Sequence, residues 1–376
     1  MESNLLLLFF ITLILWYFYF LLKILKGLNR LNSSTKRSIN EFVTVIIPFR
    51  NESGNILASL KSITNLDYPN EKFEVIYIND NSNDDSLEKL MSAKKPANVN
   101  VISVPVSDAP GAFKKRAVAY AIEKSQGDII VTTDADCIHP PGWLGALLFL
   151  FDEQTALVSG PVEFYESNSF LNKIQKLEFQ GLILAGAGLI GAGDPVICSA
   201  ANLAYRKKVF IEVNGFSDQL HLTSGDDELL MQKIHKTGKY KIKYCADPGA
   251  IVKTSFNNTM EEFFYQRKRW ASKGLFYADK ILIFRLGLIF LYYLSIPFLI
   301  ILSFFSQIYL FILFFSLSIK FITEYLIMKK GNELIFRSPL LKYFLPAEIL
   351  QIPYIIIAGI SGAFGNFKWK GRDIKR

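Results

Sequence analysis

Residues 114–137 read KKRAVAYAIEKSQGDIIVTTDADC. With Phe113 just before them, Ala117, Ala121 and Ile122 recur at the spacing of one helix face, which predicts a helix over 113–124. After Gln126-Gly127 the pattern changes to DIIVTT, a short β-branched run of the kind that fills a buried strand. That strand ends on Asp134-Ala135-Asp136. Working outward, the same unit recurs. Residues 42–48 (FVTVIIP), 73–78 (FEVIYI) and 99–104 read as strands, and 54–63 and 87–94 as helices. Repeated strand–helix units predict an α/β fold, a mostly parallel sheet with helices on both faces. Ligands bind such sheets beyond the carboxyl ends of the strands, where Asp80, Asp134 and Asp136 fall.

Outside this region the composition shifts. Residues 3–22 carry no charge, and about 20 apolar residues suffice to cross a bilayer. A cleaved signal peptide is the competing reading; Glu2 at the start and the lack of a small-x-small cleavage site speak against it. Lys23, Lys26, Arg30, Lys36 and Arg37 follow the span, which predicts an outside N-terminus and a cytoplasmic α/β domain. Between Arg285 and Lys320 there is no basic residue, and that tract predicts a helical hairpin turning near 303–307. Lys329 and Lys330 mark its return. A last apolar segment, 345–364, contains Pro346 and Pro353. If it crosses, the basic tail 368–376 lies outside, against the positive-inside rule; a re-entrant or interfacial segment avoids that. The expected organisation is a transmembrane helix over 1–25, a basic linker over 26–40 and a cytoplasmic domain over 41–280. Its interfacial helix falls near 261–277, and a membrane region with two or three helices and the tail covers 281–376. The whole is a multi-pass protein of the cell membrane.

The 42 Lys+Arg outnumber the 34 Asp+Glu, for a net charge of +8. They crowd beside apolar runs, after the first span and at Arg267, Lys268, Arg269 and Lys273, which fits lipid headgroups and not nucleic acid. The three Cys (Cys137, Cys198, Cys245) form no CxxC, and the three His are scattered, so a disulfide scaffold and a His-rich metal site are excluded.

Each acidic cluster has two readings. Asp134 and Asp136 are either solvated surface or carboxylates that a divalent cation bridges to a diphosphate. Asp80 is a turn residue or an acceptor for a nucleobase or ribose. Asp226-Asp227-Glu228 are acids of a first helical turn, a general base with a raised pKa, or both. Gln266 and Trp270, four apart, share a helix face, and Arg269 lies three from Gln266. This is an amphipathic helix on the bilayer or a face with Arg269 on a phosphate. Lys114 and Lys115 are phosphate contacts or surface charge, Cys137 is packed, and His139 is structural or a third metal ligand. His221 and His235 have no role. Residues 168–190, amphipathic and then small and apolar, could bring a lipid headgroup to the site.

Taken in order, VTVIIPFRNE (43–52), YINDNSNDDS, the quoted stretch, SAANLAYRKKVFIEVNGF (199–216), GDDELL and QRKRW resemble glycosyltransferase family 2 over residues 43–270. These are inverting enzymes with the nucleotide-binding GT-A (Rossmann-like) fold. The resemblance implies a nucleotide-sugar site, with a UDP-sugar as the expected donor. It comprises Pro48, Arg50, Glu52, Asp80, Lys115, Asp134, Asp136, Gln266, Arg269 and Trp270. It also implies Asp136 on Mg2+ or Mn2+, Asp227 as general base, Trp270 against the sugar or acceptor, and Asn202 and Asp226 on the acceptor side. Tyr120 stands where the family often has Asn, and the base motif reads Gly-Asp-Asp; neither removes a carboxylate. A membrane lipid is the expected acceptor, since few helices are available to enclose a polymer. A processive polysaccharide synthase is the alternative, and a non-catalytic membrane scaffold is the alternative of another class.

Overall fold

The computed structural model describes residues 2–31, 41–105, 112–220, 222, 225–257, 259–273, 277, 279–364, 367–369 and 372–374. The linker expected at 32–39, Pro110-Gly111, His221 and parts of the basic tail lie outside the described residues.

Helix α1 (Glu2–Leu28) precedes the α/β region. There β1 (Val43–Phe49), α2 (Ile56–Thr64), β2 (Phe73–Asn79), α3 (Ser86–Ser92), β3 (Val99–Ser103), α4 (Phe113–Lys124) and β4 (Ile129–Thr132) follow the expected pattern closely. Every residue of β1 and β2 is buried, so both strands read as continuous apolar runs without alternation. The chain continues through α5 (Trp143–Leu148), β5 (Thr155–Ser159), β6 (Val162–Phe164), α6 (Phe170–Gly191), β7 (Leu203–Arg206), α7 (Lys207–Glu212), α8 (Glu228–Lys236), β8 (Lys241–Tyr244), β9 (Val252–Thr254) and α9 (Met260–Lys273). The main sheet has the order β3-β2-β1-β4-β7-β5-β8. Only β7 runs against its neighbours, pairing antiparallel with both β4 and β5. The parallel pair β6–β9 forms a small second sheet, tied to the loop after β4 by the Ile138–Lys253 bridge.

Helices α10 (Lys280–Ser303) and α11 (Gln307–Gly331) form the expected hairpin with its turn at 303–307, and α12 (Phe344–Phe364) is followed by a short hairpin of β10 (Phe367–Trp369) and β11 (Arg372–Ile374). Four segments among the described residues are long and apolar enough to cross a membrane: Asn4–Leu28, Lys280–Ser303, Gln307–Phe336 and Pro339–Ala363.

Helix α6 is the floor between the two layers. Its small residues meet α1 at van der Waals limits: a Cβ on Gly27 would stand 1.7 Å from the Gly188 carbonyl oxygen, and one on Gly191 2.3 Å from that of Gly27. Glycine is what lets the two backbones touch. The small, apolar half of 168–190 therefore seats α1, which corrects its reading as a surface for a lipid headgroup. Helix α12 takes an oblique course. Phe344 packs edge-on to Tyr325 of α11, Gln351 accepts from Tyr293 of α10 at 3.0 Å, and Phe263 of α9 packs edge-on to Tyr354. Gly362 lies against α9, where an added Cβ would come within 2.8 Å of the Ala271 Cβ. Its start is equally close to the α/β region, with Tyr343 edge-on to Phe170 at 5.9 Å.

Candidate active site

The carboxyl ends of β1, β2 and β4 share one edge of the sheet. At the first two, Asn51 and Asn81 adopt left-handed φ of 53° and 54°, which asparagine tolerates. Arg50 joins these turns: Nη1 donates to the Asp80 carbonyl at 2.8 Å and also to the Asn81 carbonyl. Glu52 accepts from Asn55 Nδ2 at 2.9 Å, and its amide donates to Ser86 Oγ at 2.8 Å. Pro48 sits in β1 beside Ile78. Asp80 is 5% exposed, and its amide donates to the Phe49 carbonyl, which holds it at the edge.

At the end of β4, Asp134 accepts from Lys114 Nζ at 2.6 Å. The same ammonium lies 3.2 Å from Asp226. Asp136 turns the other way and accepts from Thr254 Oγ1 at 3.1 Å. The two acids expected to bridge one cation thus have separate partners. Burial pushes the Asp226 carboxyl up, but Lys114 and then Lys115 outweigh it and hold it below the usual carboxylate range. Burial likewise pulls Lys114 down, and Asp134 and Asp226 together raise it above the ordinary lysine value.

Asp227 caps α8. Its Oδ1 accepts from the Glu228 amide at 2.7 Å and its Oδ2 from the Ala200 amide at 3.1 Å. Glu228, next in the helix, accepts from Tyr277 Oη at 2.8 Å and is 3% exposed. From α9, Arg269 comes over the edge. Burial lowers its pKa, against the fields of Asp134, Asp226, Asp227 and Asp136, in that order. One guanidinium therefore feels all four carboxylates. Gln266 accepts from Asn257 Nδ2 at 3.0 Å and from Arg267 at 2.7 Å, and the Trp270 ring stacks on Phe179 at 6.0 Å.

Residues 44–213 match the family description "Glycosyl transferase family 2", and residues 129–327, more than half of the chain, match "Glycosyl transferase family group 2". The chain belongs to glycosyltransferase family 2. It is 30% identical over 267 residues to the poly-beta-1,6-N-acetyl-D-glucosamine synthase of Staphylococcus aureus (strain MSSA476), covering 69% of this chain and 60% of that one. It thus spans about 60% of the length of that relative. Its fold is similar to that of the solved mannosyltransferase PcManGT from Pyrobaculum calidifontis, in complex with GDP-Man and Mn2+, with a TM-score of 0.55 at 15% identity over 94% of this chain and 95% of the other. The fold is GT-A.

Within this family 2 glycosyltransferase, Lys115 and Asn202 lie elsewhere than sequence suggested, and His139 takes the structural one of its two readings. Lys114, not Lys115, stands between the carboxylates; Lys115 is 1% exposed and donates to the Leu222 carbonyl at 3.1 Å. Neighbours on a helix point about 100° apart, so the two lysines take different partners, although the charge of Lys115 still acts on Asp226. Asn202, placed on the acceptor side by resemblance, is wholly buried. Its amide accepts from Trp143 Nε1 and donates to the Pro161 and Ala250 carbonyls at 2.8, 2.7 and 2.8 Å. It braces the scaffold. His139 is no metal ligand: its nitrogens meet Ser62 Oγ at 3.0 Å and Thr133 Oγ1 at 2.8 Å, and burial pushes it down to about 3. Sequence reasoning missed Thr254 and Arg267, which no motif marks.

Proposed function

We propose that the chain transfers a sugar from a nucleotide diphosphate to an acceptor held at the membrane, with inversion at the anomeric carbon. One observation carries this reading: Asp134, Asp136, Asp226 and Asp227, drawn from distant stretches, surround Arg269 at the open edge of the sheet. Asp227, held in place by two backbone N–H groups, takes the proton of the acceptor hydroxyl. The acceptor oxygen attacks from the face opposite the nucleotide, and Arg269 meets the charge that grows on the departing diphosphate. The turns at Asp80 and Arg50 form the nucleotide end of the cleft, with a UDP-sugar as the donor.

Four carboxylates against Lys114, Lys115 and Arg269 leave excess negative charge where a diphosphate would bind. Among the described residues no three His, Cys, Asp or Glu gather as a metal cage. A Mg2+ or Mn2+ ion commonly needs only one or two carboxylates beside substrate phosphates, and Asp136 fits that part. When bound, the ion neutralises charge on the diphosphate.

Lys23 and Arg285 both pair with Asp194, just beyond α6, and this basic pair supports placing the cytoplasmic face of the membrane layer there. On this reading α1, α10 and α11 cross, while α12, one unbroken helix, lies along the interface and leaves the basic tail cytoplasmic, in accord with the positive-inside rule. Three crossing helices suit a lipid acceptor better than a polymer channel. The similarity to a polysaccharide synthase favours a second reading, in which the acceptor is a growing glycan.

Incubating membranes that hold the full chain with a panel of labelled nucleotide sugars tests both. Label in a lipid extract supports the first reading, long polymer without glycolipid replaces it by the second, and no product from any donor overturns both. Unchanged nucleotide-sugar hydrolysis in Asp136→Ala and Asp227→Ala would leave a scaffold without catalysis.

A further inference from the structure

Arg267 occupies a position that the Gln-x-x-Arg-Trp pattern leaves open, yet it is buried, at 5% exposure. Its guanidinium lies 4.4 Å from the Trp270 ring centre and 4.6 Å from that of Phe263. It donates to Gln266 Oε1 at 2.7 Å and forms an ion pair with Glu178 of α6, whose side chain is 8% exposed. The other Glu178 oxygen accepts from Tyr354 Oη of α12. Helix α12 is itself fastened one turn earlier, where Glu348 and Gln351 take hydrogen bonds from the buried Lys320 of α11.

We propose that Glu178, steadied by Tyr354, is a positioning residue that holds Arg267 against Trp270 and Phe263 and so sets the roll of α9 over the cleft. The proposal deepens the reading above and rests on it. The argument is geometric. Arg267 and Trp270 are three apart and share the face turned to α6 and α12, while Arg269 points about 200° away from Arg267, towards the carboxylates. A helix lying on a membrane surface is free to roll about its axis unless a directional contact stops it. The stacked and forked guanidinium is such a contact, because its plane allows one orientation against ring and carboxylate together. Rolling α9 moves Arg269 away from where leaving-group charge develops. Donor binding, spread over many contacts, changes less.

The test uses the full chain in nanodiscs, with Glu178→Gln, Tyr354→Phe and, as control, Tyr292→Phe. The control removes a hydroxyl that donates to the Ser316 carbonyl within the bundle, away from α9. Three quantities are read: kcat and KM for the nucleotide sugar, the thermal midpoint, and amide hydrogen exchange along 260–273. Glu178→Gln is expected to lower kcat about tenfold or more, to leave KM within about twofold and to speed exchange in α9 alone. Tyr354→Phe gives a smaller shift in the same direction, and Tyr292→Phe none. A kcat within twofold of wild type, or a kcat loss matched by a lower midpoint and faster exchange throughout the chain, overturns the proposal. If the wild type itself transfers no sugar, the reading of function fails separately. Exchange in α9 then decides alone, faster in Glu178→Gln for the proposal and unchanged against it.

Discussion

Among the described residues, two of the charge clusters are built to opposite ends. In the helix bundle, Lys320 is wholly buried and donates to Glu324 at 3.0 Å, to Gln351 at 2.8 Å and to Glu348. Those contacts use all three ammonium hydrogens, and Tyr17 of α1 closes on Glu324 at 2.5 Å. At the sheet edge, the charges of Lys114, Lys115 and Arg269 act on four carboxylates, and the Asp134 side chain is 37% exposed. A charge answered by neighbours inside an apolar layer acts as a fastener joining α1, α10, α11 and α12. A cluster left with excess charge at an open edge is stable only because water screens it, and it is ready for a ligand of complementary charge.

The strongest way to break this contrast is Asp227→Asn. Losing the base is expected to cut transfer by about 10³- to 10⁴-fold, while the amide still caps α8 and stability changes by about 1 kcal/mol or less. Transfer rates beside thermal unfolding check it, and a rate loss no larger than the stability loss would put Asp227 with the fasteners. Lys320→Met should do the reverse. Two carboxylates left buried without their partner are expected to cost about 3–5 kcal/mol of stability, with kcat per folded molecule little changed. Denaturation in detergent, with activity corrected for folded fraction, measures both.

Arg269→Ala sharpens the edge half: removing one contact to developing charge should cost about a hundredfold in kcat. If KM alone rises, the guanidinium binds the ground state and not the departing group. The smallest effect belongs to His139. Its folded pKa near 3 lies below the unfolded value of about 6.5, so the unfolded chain takes the proton first. The stability it confers is complete above pH 6.5 and is lost as pH falls toward 3, about 2 kcal/mol of it by pH 5. Thermal midpoints against pH, compared with His139→Gln, should show a shallower acid limb in the variant.

The strands were legible because β1, β2 and β4 are buried on both faces, and that leaves an unbroken β-branched run in the chain. The antiparallel β7 was not. LAYR is too short to declare a direction, and 199–216 was read by resemblance as an acceptor-side segment. The acids were found because they end strands. The choice of Lys115 went astray since two adjacent lysines look alike until α4 is seated on the sheet.

Sequence by itself determined the element types, the apolar spans and the edge of the sheet that carries the carboxylates, because these depend on patterns within a few residues of one another. Tertiary structure alone decided that Lys114 serves Asp134 and Asp226, that Asn202 is spent on the scaffold, and that Glu178 meets Arg267 across 89 residues of chain. Partners of that kind are selected by how distant elements pack, and the direction a side chain takes on a packed helix is not written in its neighbours along the chain.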